Sequence, residues 1–242
     1  MTHKPYIREV PGSRSAVLLI HGILGTPNHF HALLPLIPED WSVYNILLDG
    51  HGGGVEDFSR TSMKKWKAQV SAQLDALLEK YHRIILVGHS MGTLFSIQEA
   101  VNHPGKIDRL FLLQVPLCPR LTVKAAACSV LLAFGIVPKS AEMMMMDCGV
   151  RLEPWLWKYI GWLPRFLELF RECHATAKLL EQLHVPCQAF QSAHDEMVSP
   201  RAVKILGRHP HIRTTVLPNS GHFGHTGADL ALLKQAFSQL FL

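Results

Sequence analysis

Residues 88–92 read Gly-His-Ser-Met-Gly, directly after the apolar run Arg83-Ile-Ile-Leu-Val87. A serine between two glycines, where a strand turns into a helix, is the pattern of a nucleophile elbow. The turn is too tight for a Cβ at either flank, so the serine is forced into sparsely populated φ/ψ space and its hydroxyl projects above the sheet. The segment that follows, Met91–Val101, carries Leu94, Ile97 and Val101 at helical spacing. A serine hydroxyl is a poor nucleophile without a base, so the chain must supply a histidine and a group to orient it. The chain has 15 histidines, and order selects among them. An elbow of this kind takes its partners downstream, with the acid before the histidine. The last third offers two strand-to-loop junctions, 187–198 and 213–223. Each ends in polar residues, where an α/β sheet presents its chemistry. Asp195 and His222 sit in those loops.

Five pieces occur in order: His21-Gly-Ile-Leu-Gly25, Asp49-Gly-His-Gly52, Gly88-His-Ser-Met-Gly92, His194-Asp-Glu-Met-Val198 and Ser220-Gly-His222. With them the chain resembles an α/β-hydrolase, and more closely the bacterial serine carboxylesterases and monoacylglycerol lipases. The resemblance implies an α/β-hydrolase fold, a mainly parallel central sheet flanked by helices with an inserted helical cap. Residues 1–118 and 181–242 would form the core and 119–180 the cap. It implies a catalytic triad of Ser90, Asp195 and His222. It places the oxyanion-hole donors on the backbone N–H groups of Ile23 and Met91, with Leu24 as the alternative register. Adjacent residues at a strand end face opposite ways, so only one of Asp195 and Glu196 can meet the imidazole. The resemblance favours Asp195, with Glu196 expected to face away and matter little. His222 is preferred to His225 because Ser220-Gly221 matches the family and leaves the loop free. His89 is expected to pack beneath the site. No cofactor is implied.

The whole chain bounds the function further. At 242 residues it is within the range of one α/β domain. Its net charge of +5 is only mildly basic, and its cations are scattered, with no stripe of the kind that binds nucleic acid. The five cysteines are odd in number and form no Cys-x-x-Cys pair, which fits free thiols in a reducing compartment and a cytoplasmic protein. The N-terminus lacks the apolar stretch of a secretory signal. The longest apolar run, Ala125–Val137, is 13 residues, too short to cross a bilayer. No His-x-x-x-His or His-Glu-x-x-His pattern suggests a metal. The three glycines in Asp49–Gly54 lack the lysine and hydroxyl of a phosphate loop, so they read as a wide turn beside the site.

The elements that must hold these residues alternate. Strands are expected at 6–10, 15–21, 42–48, 83–88, 108–115, 187–193 and 213–218, and helices at 62–80, 91–102, 200–208 and 226–241. Such alternation means a mainly parallel sheet. In the first helix Ser62 is the N-cap, and Trp66, Val70, Leu74 and Leu77 line one face. About 70 residues separate the fifth and sixth strands, far more than a crossover needs, so they are an insertion. It holds a methionine run at 143–146, three tryptophans, and Leu163, Phe166, Leu167 and Phe170 at one-face helical spacing. An apolar cap of this kind shapes an acyl pocket, with Leu24, Phe166, Phe170 and Met197 as candidate substrate contacts. The expected activity is hydrolysis of carboxylic esters of short to medium acyl chains, the partner being a small ester with an apolar acyl group. The same machinery serves thioesterases, amidases, acyltransferases and carbon–carbon hydrolases. A non-catalytic binding module is the remaining class, and the intact Ser, Asp and His argue against it.

Overall fold

The computed structural model describes residues 3–120 and 148–242. The run Ala125–Val137, the methionines at 143–146 and Cys128 lie outside the described residues. Among those described, seven strands form one sheet: β1 (Tyr6–Arg8), β2 (Ser15–Ile20), β3 (Ser42–Ile46), β4 (Arg83–His89), β5 (Arg109–Leu113), β6 (Cys187–Ser192) and β7 (Ile212–Leu217). Their order is β1-β3-β2-β4-β5-β6-β7, with β1 antiparallel to β3 and every other pair parallel. The helices are α1 (Val55–Ser59), α2 (Met63–Lys80), α3 (Met91–Asn102), α4 (Leu163–Leu179), α5 (Arg201–Leu206) and α6 (Gly227–Ser238). This is the expected α/β-hydrolase fold class. Element ends fall within two or three residues of their sequence positions, apart from the last helix, where the final three residues form a 3₁₀ turn.

The central strands are apolar on both sides, as a sheet covered by helices on both faces demands. Alternate residues therefore feed two cores. Ala16, Leu18, Ile20, Ile84 and Leu86 join α2 and α3 through Trp66, Leu74 and Leu94. Val17, Leu19, Ile85 and Val87 face the other way, onto Phe30, Leu33, Leu233 and Phe237. Helix α2 is built as its pattern predicts. The Ser62 hydroxyl accepts the Lys65 N–H, and Met63, Trp66, Val70, Leu74 and Leu77 are buried. The short α1 left no periodic signal in five residues; its entry is set by the Asp57 carboxylate accepting the Gly54 N–H at 2.8 Å.

In the insertion, a 3₁₀ segment (Leu156–Trp162) runs into α4. The expected apolar stripe of α4 does not face the sheet. Leu163, Leu167 and Phe170 are exposed, at 62, 55 and 48%, and of that set Phe166 alone packs on the core. The inward face carries Leu169, Cys173 and Thr176 instead. The reason is polar. Gln98 of α3 donates to both Glu172 and Thr176, Lys67 of α2 pairs with Glu172, and Glu168 accepts the Met63 N–H. These bonds choose which side of α4 meets α2 and α3, and apolar spacing alone carries no such information. The insertion also touches the core at its entrance. Pro119 bridges Val198 in antiparallel fashion, the Arg120 N–H donates to the Met197 carbonyl, and the Ser199 N–H donates to the Cys118 carbonyl.

Trp66 fills the α2 core and donates its ring N–H to the Asp49 carbonyl at 2.7 Å. Trp66→Ala is expected to lower unfolding free energy by about 3–5 kcal/mol, read as a drop in the urea midpoint at unchanged slope.

Candidate active site

Strand β4 delivers Ser90, and the geometry there is that of an elbow. Ser90 has φ +50 and ψ −120, a conformation a side chain adopts at a cost. Its neighbours enforce it. A Cβ on Gly88 would lie 2.7 Å from the Thr93 backbone, and one on Gly92 would lie 2.0 Å from the Ile20 carbonyl oxygen. The Ser90 N–H donates to the Leu113 carbonyl at 2.8 Å, and its carbonyl accepts both the Thr93 N–H and the Thr93 hydroxyl. Helix α3 thus begins on the serine itself, so its positive end lies there.

The structure brings Asp195 and His222 together from the loops after β6 and β7. His222 Nδ1–H donates to Asp195 at 2.9 and 3.0 Å, and both side chains are 2% exposed. That bond assigns the tautomer: with the proton on Nδ1, Nε2 keeps a lone pair that can accept a proton. Burial alone pushes Asp195 up. The His222 charge, its hydrogen bond and the N–H groups of Met197 and Val198 outweigh burial and hold the carboxyl below its ordinary range.

Three supports were not read from the sequence. Glu196 does not meet the imidazole, as expected, yet it does not simply face away. Its carboxylate accepts the His222 backbone N–H at 3.2 Å. His89 does more than pack: its Nε2–H donates to the His222 carbonyl at 3.0 Å, so the strand that carries Ser90 also carries the histidine loop. The Ser220 hydroxyl, read as part of a free loop, donates to Asp229 at 2.7 Å, and that carboxylate also accepts the Asn219 N–H. The acid beside Asp195 was visible in the sequence, whereas nothing marked Asp229. A fourth support is Gln114, fully buried with φ +56. It donates to the Ser192 hydroxyl and accepts the Ser192 N–H, fixing the end of β6 just before Asp195. A polar residue closing the apolar run Arg109–Leu113 was its only signal.

The remaining candidates are placed as follows. Ile23 and Met91 are buried, and neither backbone N–H has a hydrogen-bond partner among the described residues. Leu24 is partly buried with φ +55, and Met197 is partly buried beside Asp195. Phe166 packs on the core, while Phe170 is turned outward. His225, set aside as base, lies 3.4 Å from the Gln114 amide. His51 stacks edge-on against His21 at 4.7 Å. A cleft of about 640 Å³ opens beside Asp49, His51 and Lys65, and none of Ser90, Asp195 and His222 lines it. Among the described residues no group of three or more His, Cys, Asp or Glu could hold a metal ion. No helix of the described residues is long and apolar enough to cross a membrane.

A family model described as the alpha/beta hydrolase family matches residues 17–233. A thermostable monoacylglycerol lipase of Bacillus sp. (strain H-257) is 35% identical over 92 residues, 36% of each chain. A human serine hydrolase-like protein is 30% identical over 107 residues, 42% of this chain and 50% of that one. A pimeloyl-[acyl-carrier protein] methyl ester esterase of Neisseria meningitidis is 30% identical over 107 residues, 43% and 38%. The chain thus spans between about a third and a half of the length of these relatives. Among solved structures, a metagenome-derived lipolytic enzyme superposes with a TM-score of 0.76 at 19% identity, covering 99% of this chain and 98% of that one. A monoacylglycerol lipase of Paleococcus ferrophilus superposes with a TM-score of 0.69 at 16% identity, covering 98% and 97%.

The first prediction concerns the carboxylates around His222. Asp195→Asn should reverse the imidazole tautomer and cost roughly 10⁴ in kcat. Glu196→Gln keeps an acceptor for the His222 N–H and should cost less than about threefold, whereas Glu196→Ala should cost about tenfold, since a misplaced base loses rate steeply. Ester hydrolysis by purified variants checks the ranking. The second prediction concerns acid. Burial holds His21 well below its ordinary value, His51 at about 4, His89 at about 3 and His225 at about 4. These four stay neutral in the folded chain, and unfolded they take up protons below about pH 6.5. Folding stability should therefore be complete above that pH and fall as pH drops, by about 1.4 kcal/mol per pH unit for each such histidine. Urea midpoints at pH 7 and pH 5 would show it; equal midpoints would mean the rings are protonated in place.

Proposed function

The chain belongs to the alpha/beta hydrolase family, and from that premise we propose that it is a serine carboxylesterase acting on esters of short to medium acyl chains, monoacylglycerols among them. The observation that carries this reading is the Asp195–His222 pair, held on the strand that ends in Ser90. His222 Nε2 takes the proton from the Ser90 hydroxyl as its oxygen attacks the ester carbonyl. Asp195 keeps the imidazole in the attacking tautomer and stabilises the imidazolium. The oxyanion is received by the Ile23 and Met91 N–H groups. His222 passes its proton to the leaving alkoxide, and the alcohol departs from an acyl-serine. Water, deprotonated by His222, then releases the acid and restores the hydroxyl.

Residues 119–180 act in this reading as a cap over the acyl site, with Leu24, Met197 and Phe166 as its apolar wall. Phe170, on the outward side of α4, is a weaker candidate. Thiols without a disulfide support a cytoplasmic setting: Cys118, Cys173 and Cys187 are free, and burial pushes the Cys173 thiol up to about 12 and raises that of Cys187 as well. The relatives that suggest an ester also include a pimeloyl-[acyl-carrier protein] methyl ester esterase, so a methyl ester on a carrier-bound acyl group is a further candidate substrate.

The test is direct. Wild-type protein should label with a fluorophosphonate and hydrolyse p-nitrophenyl esters, with kcat/KM rising by up to about fourfold per added methylene until the pocket is full. Ser90→Ala should lose labelling and on the order of 10⁶ in rate. Retention of a tenth of the wild-type rate would sink the assignment, and faster turnover of acyl-CoA thioesters than of any ester would move the chain to the thioesterases.

A further inference from the structure

Leu24 stands at φ +55, a left-handed conformation that a leucine adopts only when its surroundings impose it. The loop it belongs to is fixed at several points. The Gly22 carbonyl accepts the Gly25 N–H at 3.0 Å and the His21 Nδ1–H at 2.8 Å. In a planar trans peptide the N–H points opposite to the C=O. Pinning the Gly22 oxygen therefore aims the Ile23 N–H the other way and leaves it without a partner among the described residues. The Leu24–Gly25 peptide, two further on from the Gly22 carbonyl, is pinned at both ends, one of them from outside the loop. Its N–H is the one Gly25 gives to Gly22, and its carbonyl, on Leu24, accepts the Gly149 N–H at 2.7 Å.

Gly149 lies where the insertion returns to the core, 125 positions after Leu24 in the numbering. Its own carbonyl accepts the Gly52 N–H, and two residues on, the Arg151 N–H donates to the Gly53 carbonyl at 2.9 Å. Gly54 and Arg151 form a parallel bridge. The triple glycine, read from sequence as a wide turn beside the site, is also the rail on which the returning segment is laid. At Gly149 a side chain has no room. A Cβ there would fall 1.9 Å from the Gly25 carbonyl oxygen and 3.4 Å from Thr26 Cβ.

We propose that Gly149 is a positioning residue for the oxyanion hole: wedged between the Gly52–Gly54 rail and the Leu24 carbonyl, it holds the 22–25 loop in the conformation that presents the Ile23 N–H to the reacting carbonyl. The inference deepens the serine-hydrolase reading and rests on it. It also makes the return of the insertion part of the catalytic machinery, not only of the substrate pocket. Gly149 does not touch substrate; it acts through Leu24 and Ile23.

The experiment compares Gly149→Ala and Val150→Ala with wild type. Val150 is buried in the returning segment, and its truncation loosens the segment without adding an atom. For each variant kcat and KM on p-nitrophenyl butyrate are measured beside the inhibition constant of a matching alkyl trifluoromethyl ketone, whose serine adduct carries the oxyanion. Losing a donor outright costs 10²–10³ in kcat, so a displaced donor should cost roughly tenfold or more. The ketone constant should rise by a like factor and KM should stay within about twofold, a split that general loosening of the fold would not give. Circular dichroism and gel filtration establish folding; if Gly149→Ala does not fold, Val150→Ala decides by the same readings. A folded variant with wild-type kcat, or one that loses only in KM at unchanged ketone affinity, overturns the inference. Ser90→Ala separates the two levels. Activity in that variant would overturn the serine reading itself, whereas an inactive Ser90→Ala beside unaffected Gly149→Ala and Val150→Ala would overturn the positioning role alone.

Discussion

The structure depends most on how closely α3 approaches β2. With 2.0 Å between an ideal Gly92 Cβ and the Ile20 oxygen, only a bare α-carbon fits there. That contact sets where the helix starts and leaves Ser90 as the hinge between strand and helix. Gly22 extends the same packing; a Cβ on it would meet the Ser90 Cβ at 2.8 Å. Ser90, the loop that carries Ile23 and the first turn of α3 are therefore one packed object. The local cost of the Ser90 conformation is met by the apolar strands and helices around it, which outnumber it heavily.

Electrostatics follow from the same crowding. Four buried imidazoles, of His21, His51, His89 and His222, and the partly buried His225 lie near one another, in part ring against ring. Burial keeps four of them uncharged, so they serve as neutral donors and fillers. His222 differs by its carboxylate. Asp195 faces its ring directly and Glu196 its backbone, so two carboxylates converge on this one histidine of the group.

Much of this was legible in the chain. The elbow, the strand alternation and the amphipathic α2 are local patterns, and local sterics decide them. Asp195 and His222 were reached through order and resemblance, the Ser220-Gly221 pair before His222 included, since local sterics alone do not separate them from Glu196 or His225. What stayed hidden was contact between distant segments. Ser220 reaches Asp229 across nine residues, and α4 chooses its inner face through Gln98 and Lys67, whose positions exist only after folding. The partner of the glycines at 52–54 stayed hidden for the same reason. Their purpose lies in a segment almost a hundred residues further on, and a turn without that partner would look identical.

The pairing of Pro119 with Val198 has a consequence for how such a chain can diverge. The segment entering the insertion is joined to the loop that bears Asp195, just as the segment leaving it is joined to the glycine rail. An exchange of the intervening residues between two relatives would be tolerated only if both seams were carried over unchanged. New specificities would then arise by rewriting the interior of the insertion between fixed borders, while grafts cut a few residues inside either border would arrive with their chemistry already disarmed.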